Sequence, residues 1–368
     1  MSGRPFRIGV DGRSFVSPSG GIRRYVSELY GALMPAAPDV EVVAIGAPPG
    51  TSLPPGVTSR PARSFPTNFG WMAASLPLAV RGAGLDVFHA PAYTAPLWGV
   101  HPQVLTIHDV SYERKPEWNA YRNDRVRRAF YRRAALAADR ILTDSAFSRD
   151  EITAAYGIPA DVIDVVPLAA SRVFGPGVFD PARAPEGVAP PYALHVGDLH
   201  FRRNLTTALA AVMALRAAGS PIRFVCAGVD RGVGPSLLSA AAADPGSLVL
   251  TGGVSEDVLV NLYRGATLLV YPSMYEGFGL PVLEAMQTGV PVVGARCASV
   301  PEVAGDAGVL LDPLDTGAWR DAVGAVCQDG ALRSRLREAS LARAAQFSWA
   351  RTAAETLASF RRAARERR

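Results

Sequence analysis

Short apolar runs alternate with longer stretches of helical periodicity along nearly the whole chain, and few architectures accommodate that pattern. In the first half the strand candidates fall at 6–10, 41–45, 86–89, 103–107, 140–143 and 162–166, with helical patterns between them at 21–34, 121–138 and 146–156. In the second half the strands fall at 192–196, 222–227, 247–251, 267–271, 290–294 and 308–311, again with helices interposed. A strand buried on both faces reads as a continuous apolar run, and strands separated by helices pair in parallel. The expectation is therefore an α/β chain of parallel sheets covered on both faces. At 368 residues the chain suits two domains of roughly 150–180 residues each. The segment 174–191, FGPGVFDPARAPEGVAPP, is too dense in proline and glycine for a regular element, and predicts a linker between domains at 1–173 and 192–347. A helical segment rich in alanine and arginine, 348–368, closes the chain. Two open α/β sheets place ligand crevices at the carboxyl ends of their strands, an architecture shared by dehydrogenases, epimerases and transferases.

Charge and cysteine usage narrow the partners. The net charge of +5 suits anionic partners such as nucleotide diphosphates or acidic lipid head groups. No zinc-ligand spacing, helix-turn-helix pattern or aromatic single-strand platform points to nucleic acid. Lys115 is the single lysine, so an arginine where another chain would carry lysine reflects general usage here. Cys226, Cys297 and Cys327 stand singly and far apart, which favours a reducing compartment. There is no charged segment leading into an apolar one near residue 1, and no apolar run approaches the ~20 residues that span a bilayer. The expected location is cytoplasmic, at most peripheral on a membrane surface.

Four segments carry chemistry. The sharpest is 276–285, EGFGLPVLEA, which follows an apolar strand. Gly277 and Gly279 free the backbone to bend and expose its amides, and Pro281 suits the first turn of a helix. A helix N-terminus with exposed amides binds phosphate. Glu276 precedes the turn and Glu284 lies inside the helix, so both carboxylates can face one cavity, where sugar hydroxyls would give them partners. The alternative is a tight strand–helix turn with two solvated glutamates. The second segment, 194–205, LHVGDLHFRRNL, is a strand ending in glycine, a loop, and a helix start at Asn204. Arg202 and Arg203 at the positive end of a helix make sense beside an anion, against the alternative of two exposed arginines. In the third, PSGGIRRY at 18–25, Gly20 and Gly21 permit close backbone approach, though a glycine pair in such a loop is usually just a turn. In the fourth, VLTIHD at 104–109, His108 ends an apolar strand; a lone histidine there is more often structural, yet strand carboxyl ends are also where α/β sites lie.

Together these segments resemble glycosyltransferase family 4, retaining enzymes of the GT-B fold with two Rossmann-like parallel-sheet domains facing each other across a cleft. The two glutamates with Gly-Phe-Gly-Leu-Pro between them look like the family's signature. The resemblance implies that Glu276 contacts donor sugar hydroxyls, that Glu284 binds the nucleotide ribose, and that Gly277, Phe278, Gly279 and Leu280 hold sugar and phosphate. Segment 194–205 is similar to the family's Gly-x-x-x-x-Arg-Lys-Asn, implying that Arg202 and Arg203 grip the donor diphosphate, with Arg203 standing for the usual lysine. Gly20 and Gly21 match a glycine loop facing the donor, and His108 a histidine beside the donor sugar. Softer matches are SVPEVAGDAG at 299–308, TGGVS at 251–255, whose Val254 would meet the nucleotide base, and FSWAR at 347–351.

The implied reaction moves a hexosyl unit from a nucleoside diphosphate sugar to a hydroxyl of a glycan, lipid-linked or small-molecule acceptor. Mannose from GDP-mannose is the expected donor. No Asp-x-Asp motif stands where a metal would bridge the phosphates, so a reaction without metal or other cofactor is expected. The rivals are a sugar-nucleotide epimerase or phosphorylase of the same fold, and a catalytically silent accessory subunit. A nicotinamide enzyme fits poorly, since no Gly-x-Gly-x-x-Gly opens either domain. Segment 114–133 carries eight basic residues against two acids, with Val126, Phe130 and Ala137 able to share a helical face. It reads either as a core-packed helix with a solvated basic face or as a surface that docks on anionic membrane.

Overall fold

In a computed structural model, which describes residues 4–65, 67–118 and 124–366, the chain divides into two compact units, Met1–Leu168 with Ser348–Arg368, and Ala169–Phe347. The first unit holds seven parallel strands: β1 Phe6–Asp11, β2 Val40–Ile45, β3 Val57–Arg60, β4 Val87–Ala90, β5 Gln103–Thr106, β6 Arg140–Thr143 and β7 Ile163–Val165. Their order across the sheet is β3-β2-β1-β4-β5-β6-β7. The second unit holds six parallel strands: β8 Tyr192–Val196, β9 Arg223–Ala227, β10 Leu248–Gly252, β11 Leu268–Tyr271, β12 Val292–Ala295 and β13 Val309–Leu311. Their order is β10-β9-β8-β11-β12-β13. Both sheets therefore reverse direction of growth once, between β1 and β4 and between β8 and β11. Loops leaving the strands on either side of such a reversal part to opposite faces and open a crevice.

All strands except β3 lie on the apolar runs of the sequence, and most are buried along their length. β3 is an edge strand with only Val57 buried, so its residues carry no apolar signal. The helix Gly20–Ala36 turns Tyr25, Val26, Leu29, Tyr30 and Leu33 to the sheet, the three-and-four spacing of a single buried face.

Two expectations need correction. The segment 174–191 is not a free tether: Phe174 is buried and meets the Tyr263 ring edge-on. Gln287 donates to the carbonyls of Ser171 and Phe174, and Asn261 exchanges two hydrogen bonds with the Asp180 backbone. The segment also holds one 3-10 turn, Pro181–Arg183. The unit boundary accordingly falls between Leu168 and Ala169, not at 173. Second, the helix Arg125–Ala137 is not packed on the core along its length. Ala134 and Ala135 are buried and Phe130 and Tyr131 pack against the core, Phe130 also meeting the Phe69 ring, whereas Val126 is 79% exposed. Residues 121–123 of the expected helix lie outside the described residues.

The tail helix Trp349–Glu366 belongs to the first unit. Phe360 is fully buried against His89, and Thr352 donates to the Pro167 carbonyl. Asp164 on β7 takes both arms of Arg140, at 2.8 and 2.9 Å, together with Ser359 and Arg362 of the tail. Burial alone would raise the Asp164 carboxyl, but Arg140, Ser359 and Arg362 outweigh it and hold it below the usual range. A carboxyl lowered in the folded state contributes stability above its unfolded value, and that contribution is lost as pH falls. Asp164→Asn should cost roughly 2 kcal/mol at pH 7, and the gap to the wild type should close as pH falls through the carboxylate range. Urea unfolding at several pH values checks this; a gap independent of pH would exclude the charge as its source.

Candidate active site

The reversal between β8 and β11 sets two loops side by side. From β8 the chain passes Gly197, whose φ of +121° only glycine adopts readily, and where a Cβ would sit 3.1 Å from the Arg203 guanidinium. A 3-10 turn, Phe201–Arg203, then leads through Asn204 into the helix Leu205–Ala217. From β11 the chain passes Ser273, Glu276 and Gly279, with φ of +103°, into the helix Leu280–Thr288, with Pro281 in its first turn. The Met274 amide donates to the Arg202 carbonyl and ties the loops together.

Between them Arg203 and Glu276 form a buried ion pair. The same Arg203 nitrogen faces the Tyr271 hydroxyl at 2.5 Å and Ser273 Oγ at 3.2 Å. Burial lowers the Arg203 guanidinium, which the oxygens around it offset in part. Its Nε is buried without a hydrogen-bond partner. Ser299 braces the turn from behind, its hydroxyl bonding the carbonyls of Glu276 at 3.0 Å and Phe278 at 2.7 Å. Glu284 is also buried, with the Tyr263 hydroxyl 2.9 Å from its Oε2. A guanidinium and a carboxylate thus meet beside a helix N-terminus, an arrangement that suits an anion joined to a hydroxyl-bearing group.

Of the residues singled out in the sequence, Arg202, Arg203, Glu276, Gly277, Phe278, Gly279, Leu280 and Glu284 stand on these two loops and the helix that follows. Val254 does not: it follows the edge strand β10 and lines a surface groove with Arg183 and Pro185. Gly20, Gly21 and His108 belong to the first unit. Gly20 and Gly21 open the helix Gly20–Ala36 with ordinary negative φ, and an added Cβ at Gly21 would meet nothing within 4 Å. His108 is held through Nδ1 by Asp144, 2.8 Å away. Tyr271, Ser273 and Asp144 were not anticipated; the sequence signal available for them was only that polar side chains follow β6 and end β11.

Comparison with known proteins decides the family. The description "Glycosyltransferase Family 4" matches residues 19–171, and "Glycosyl transferases group 1" matches residues 190–329. An O-antigen chain mannosyltransferase B from Escherichia coli is 34% identical over 294 residues, 75% of this chain and 74% of that protein. The chain belongs to glycosyltransferase family 4. A D-inositol 3-phosphate glycosyltransferase from Acidothermus cellulolyticus is 30% identical over 95% of this chain and 87% of its own. Among solved structures, a sucrose-phosphate synthase from Thermosynechococcus elongatus covers 98% of this chain and 99% of its own with a TM-score of 0.76 at 18% identity, a likeness of fold. The two parallel-sheet units are those of a GT-B glycosyltransferase, and the chain is a glycosyltransferase. No helix among the described residues is long and apolar enough to cross a membrane.

Proposed function

We propose that this glycosyltransferase moves a mannosyl unit from GDP-mannose to a hydroxyl of a glycan acceptor, with retention of configuration and without a metal ion. The observation that carries the reading is the buried contact of Arg203 with Glu276 at the head of the helix Leu280–Thr288. A guanidinium suited to a diphosphate and a carboxylate suited to sugar hydroxyls adjoin there. As that bond breaks, negative charge grows on the leaving diphosphate. Arg202, Arg203 and the amides of Gly277, Phe278 and Gly279 are the groups to absorb it, which is preorganised electrostatic catalysis. Glu276 orients the sugar and Glu284 takes the ribose. Gly20, Gly21 and His108 keep the donor-contacting roles that the family resemblance implies. Mannose is favoured by the mannosyltransferase among the relatives. A phosphorylated inositol acceptor is the second reading, favoured by the relative named for that substrate. Thermal stabilisation across a panel of nucleoside diphosphate sugars tests the donor: a ligand at 100 times its Kd adds about 2.7 kcal/mol. GDP-mannose giving no shift while another donor does would replace mannose.

The same proposal places the enzyme on the cytoplasmic face of an anionic membrane, where a lipid-linked acceptor sits. Val126 and Phe69, both largely exposed, stand with the exposed Arg125, Arg132 and Arg133 on and beside the helix Arg125–Ala137. Apolar side chains ringed by guanidinium groups favour an anionic interface. Sedimentation at low salt should deplete the protein with anionic vesicles and not with neutral ones. Equal recovery in both supernatants would remove the membrane reading.

A further inference from the structure

Strands β5 and β6 pair in parallel with Thr106 opposite Leu142. Two residues beyond that pair, the same register sets His108 opposite Asp144, and the two side chains meet: Nδ1 and Oδ2 are 2.8 Å apart. Both are buried. The backbone beneath them is pinned as well, since Thr143 donates to the Ile107 carbonyl at 2.7 Å and Ser148 to the His108 carbonyl at 3.1 Å. From the helix Gly20–Ala36 the Tyr25 ring packs edge-on to the His108 imidazole at 4.9 Å, its hydroxyl facing Thr106. Tyr93 closes another side at 6.1 Å.

We propose that Asp144 is a positioning residue that fixes the ring plane and tautomer of His108, so that Nε2 is the atom presented to the substrate. The proposal rests on the reading of His108 as a donor-contacting residue. Burial pushes the Asp144 carboxyl up and the His108 beside it pulls it back; as the anion it can only accept, and the Nδ1 facing it then carries the proton. Nε2 is then an acceptor in the neutral ring and a donor in the imidazolium. Nε2 is itself buried with no hydrogen-bond partner.

The charged and titratable groups facing His108 are Asp144 from β6, Asp109 beside it, Tyr25, Tyr93 and, farther in, His89. Burial pushes the imidazole down, and the combined carboxylates, Asp144 foremost, push it above its ordinary value. His89 makes the contrast. It is fully buried, bound by Tyr30 and Thr106 hydroxyls with no carboxylate beside it, and is pushed down to about 3. Two things separate the histidines: His89 is the more deeply buried, and only His108 has a carboxylate partner.

Asp144→Asn keeps the shape and removes the charge. In that variant the His108 titration followed by NMR should move to lower pH. Turnover should fall on the order of 10-fold, as for other groups that orient a functional histidine, with KM for the donor nearly unchanged. Whichever protonation state of His108 supports turnover, the limb of the pH–rate profile that it governs should move in the acid direction. In the wild type, imidazole nitrogen shifts should report the Nδ1–H tautomer, a readout that needs no variant to fold. An Nε2–H tautomer, or a folded Asp144→Asn protein with the wild-type His108 titration and pH profile, overturns the proposal. A His108→Ala protein with wild-type turnover would instead overturn the role of His108, and the positioning role with it. Low turnover in His108→Ala with the tautomer reversed would overturn Asp144 alone.

Discussion

Glu276→Gln should lower kcat by on the order of 10²-fold in a protein that remains folded. Glutamine keeps the shape of the side chain and can still accept from Arg203, so the loop between β11 and the helix Leu280–Thr288 survives. The negative charge that orients sugar hydroxyls does not. Glu276→Ala goes further, because it leaves the buried Arg203 guanidinium with only neutral hydroxyl partners, those of Tyr271 and Ser273. Removing one partner of a buried ion pair costs about 3–5 kcal/mol, so the alanine variant should also melt earlier. Donor turnover and thermal unfolding measured together separate the two effects. Wild-type turnover in a folded Glu276→Gln protein would remove Glu276 from the chemistry.

Arg203→Ala should reduce kcat/KM by at least ~2 kcal/mol, the lower range for loss of a preorganised charge partner. Its charge matters most while the leaving diphosphate is gaining negative charge. Arg203→Lys should recover most of the loss. The Arg203 nitrogen that touches Glu276 also faces Tyr271 and Ser273, and an ammonium offers three donors to the same three oxygens. Affinity for the nucleoside diphosphate product gives an independent reading: it should weaken in Arg203→Ala and soften with added salt in the wild type. Wild-type turnover and product affinity in Arg203→Ala would place the diphosphate elsewhere.

How far the sequence reached depended on the range of the interaction. Turn and helix signals are local, so the Gly-Phe-Gly-Leu-Pro turn, the helix behind it and Arg202–Arg203 before Asn204 were legible as one anion site. The edge strand β3 was not, because a strand exposed along most of its length leaves no apolar run. The segment 174–191 misled for a related reason. Its proline and glycine content forbids a long helix or strand, but says nothing about Phe174 and Asp180 finding partners on helices more than eighty residues away.

By itself the sequence determined the α/β class, nearly every strand and the chemical types gathered at the donor loops, since each follows from side-chain period and backbone freedom over a few residues. Only the tertiary structure decided which of those residues touch. Growth of the sheet in two directions from β8 and β11 brings Arg203 onto Glu276, and the parallel register of β5 and β6 brings Asp144 onto His108. The tail helix likewise joins the first unit through a carboxylate on β7. Strand order and register arise from burying whole faces at once, and no local segment of a sequence carries that information.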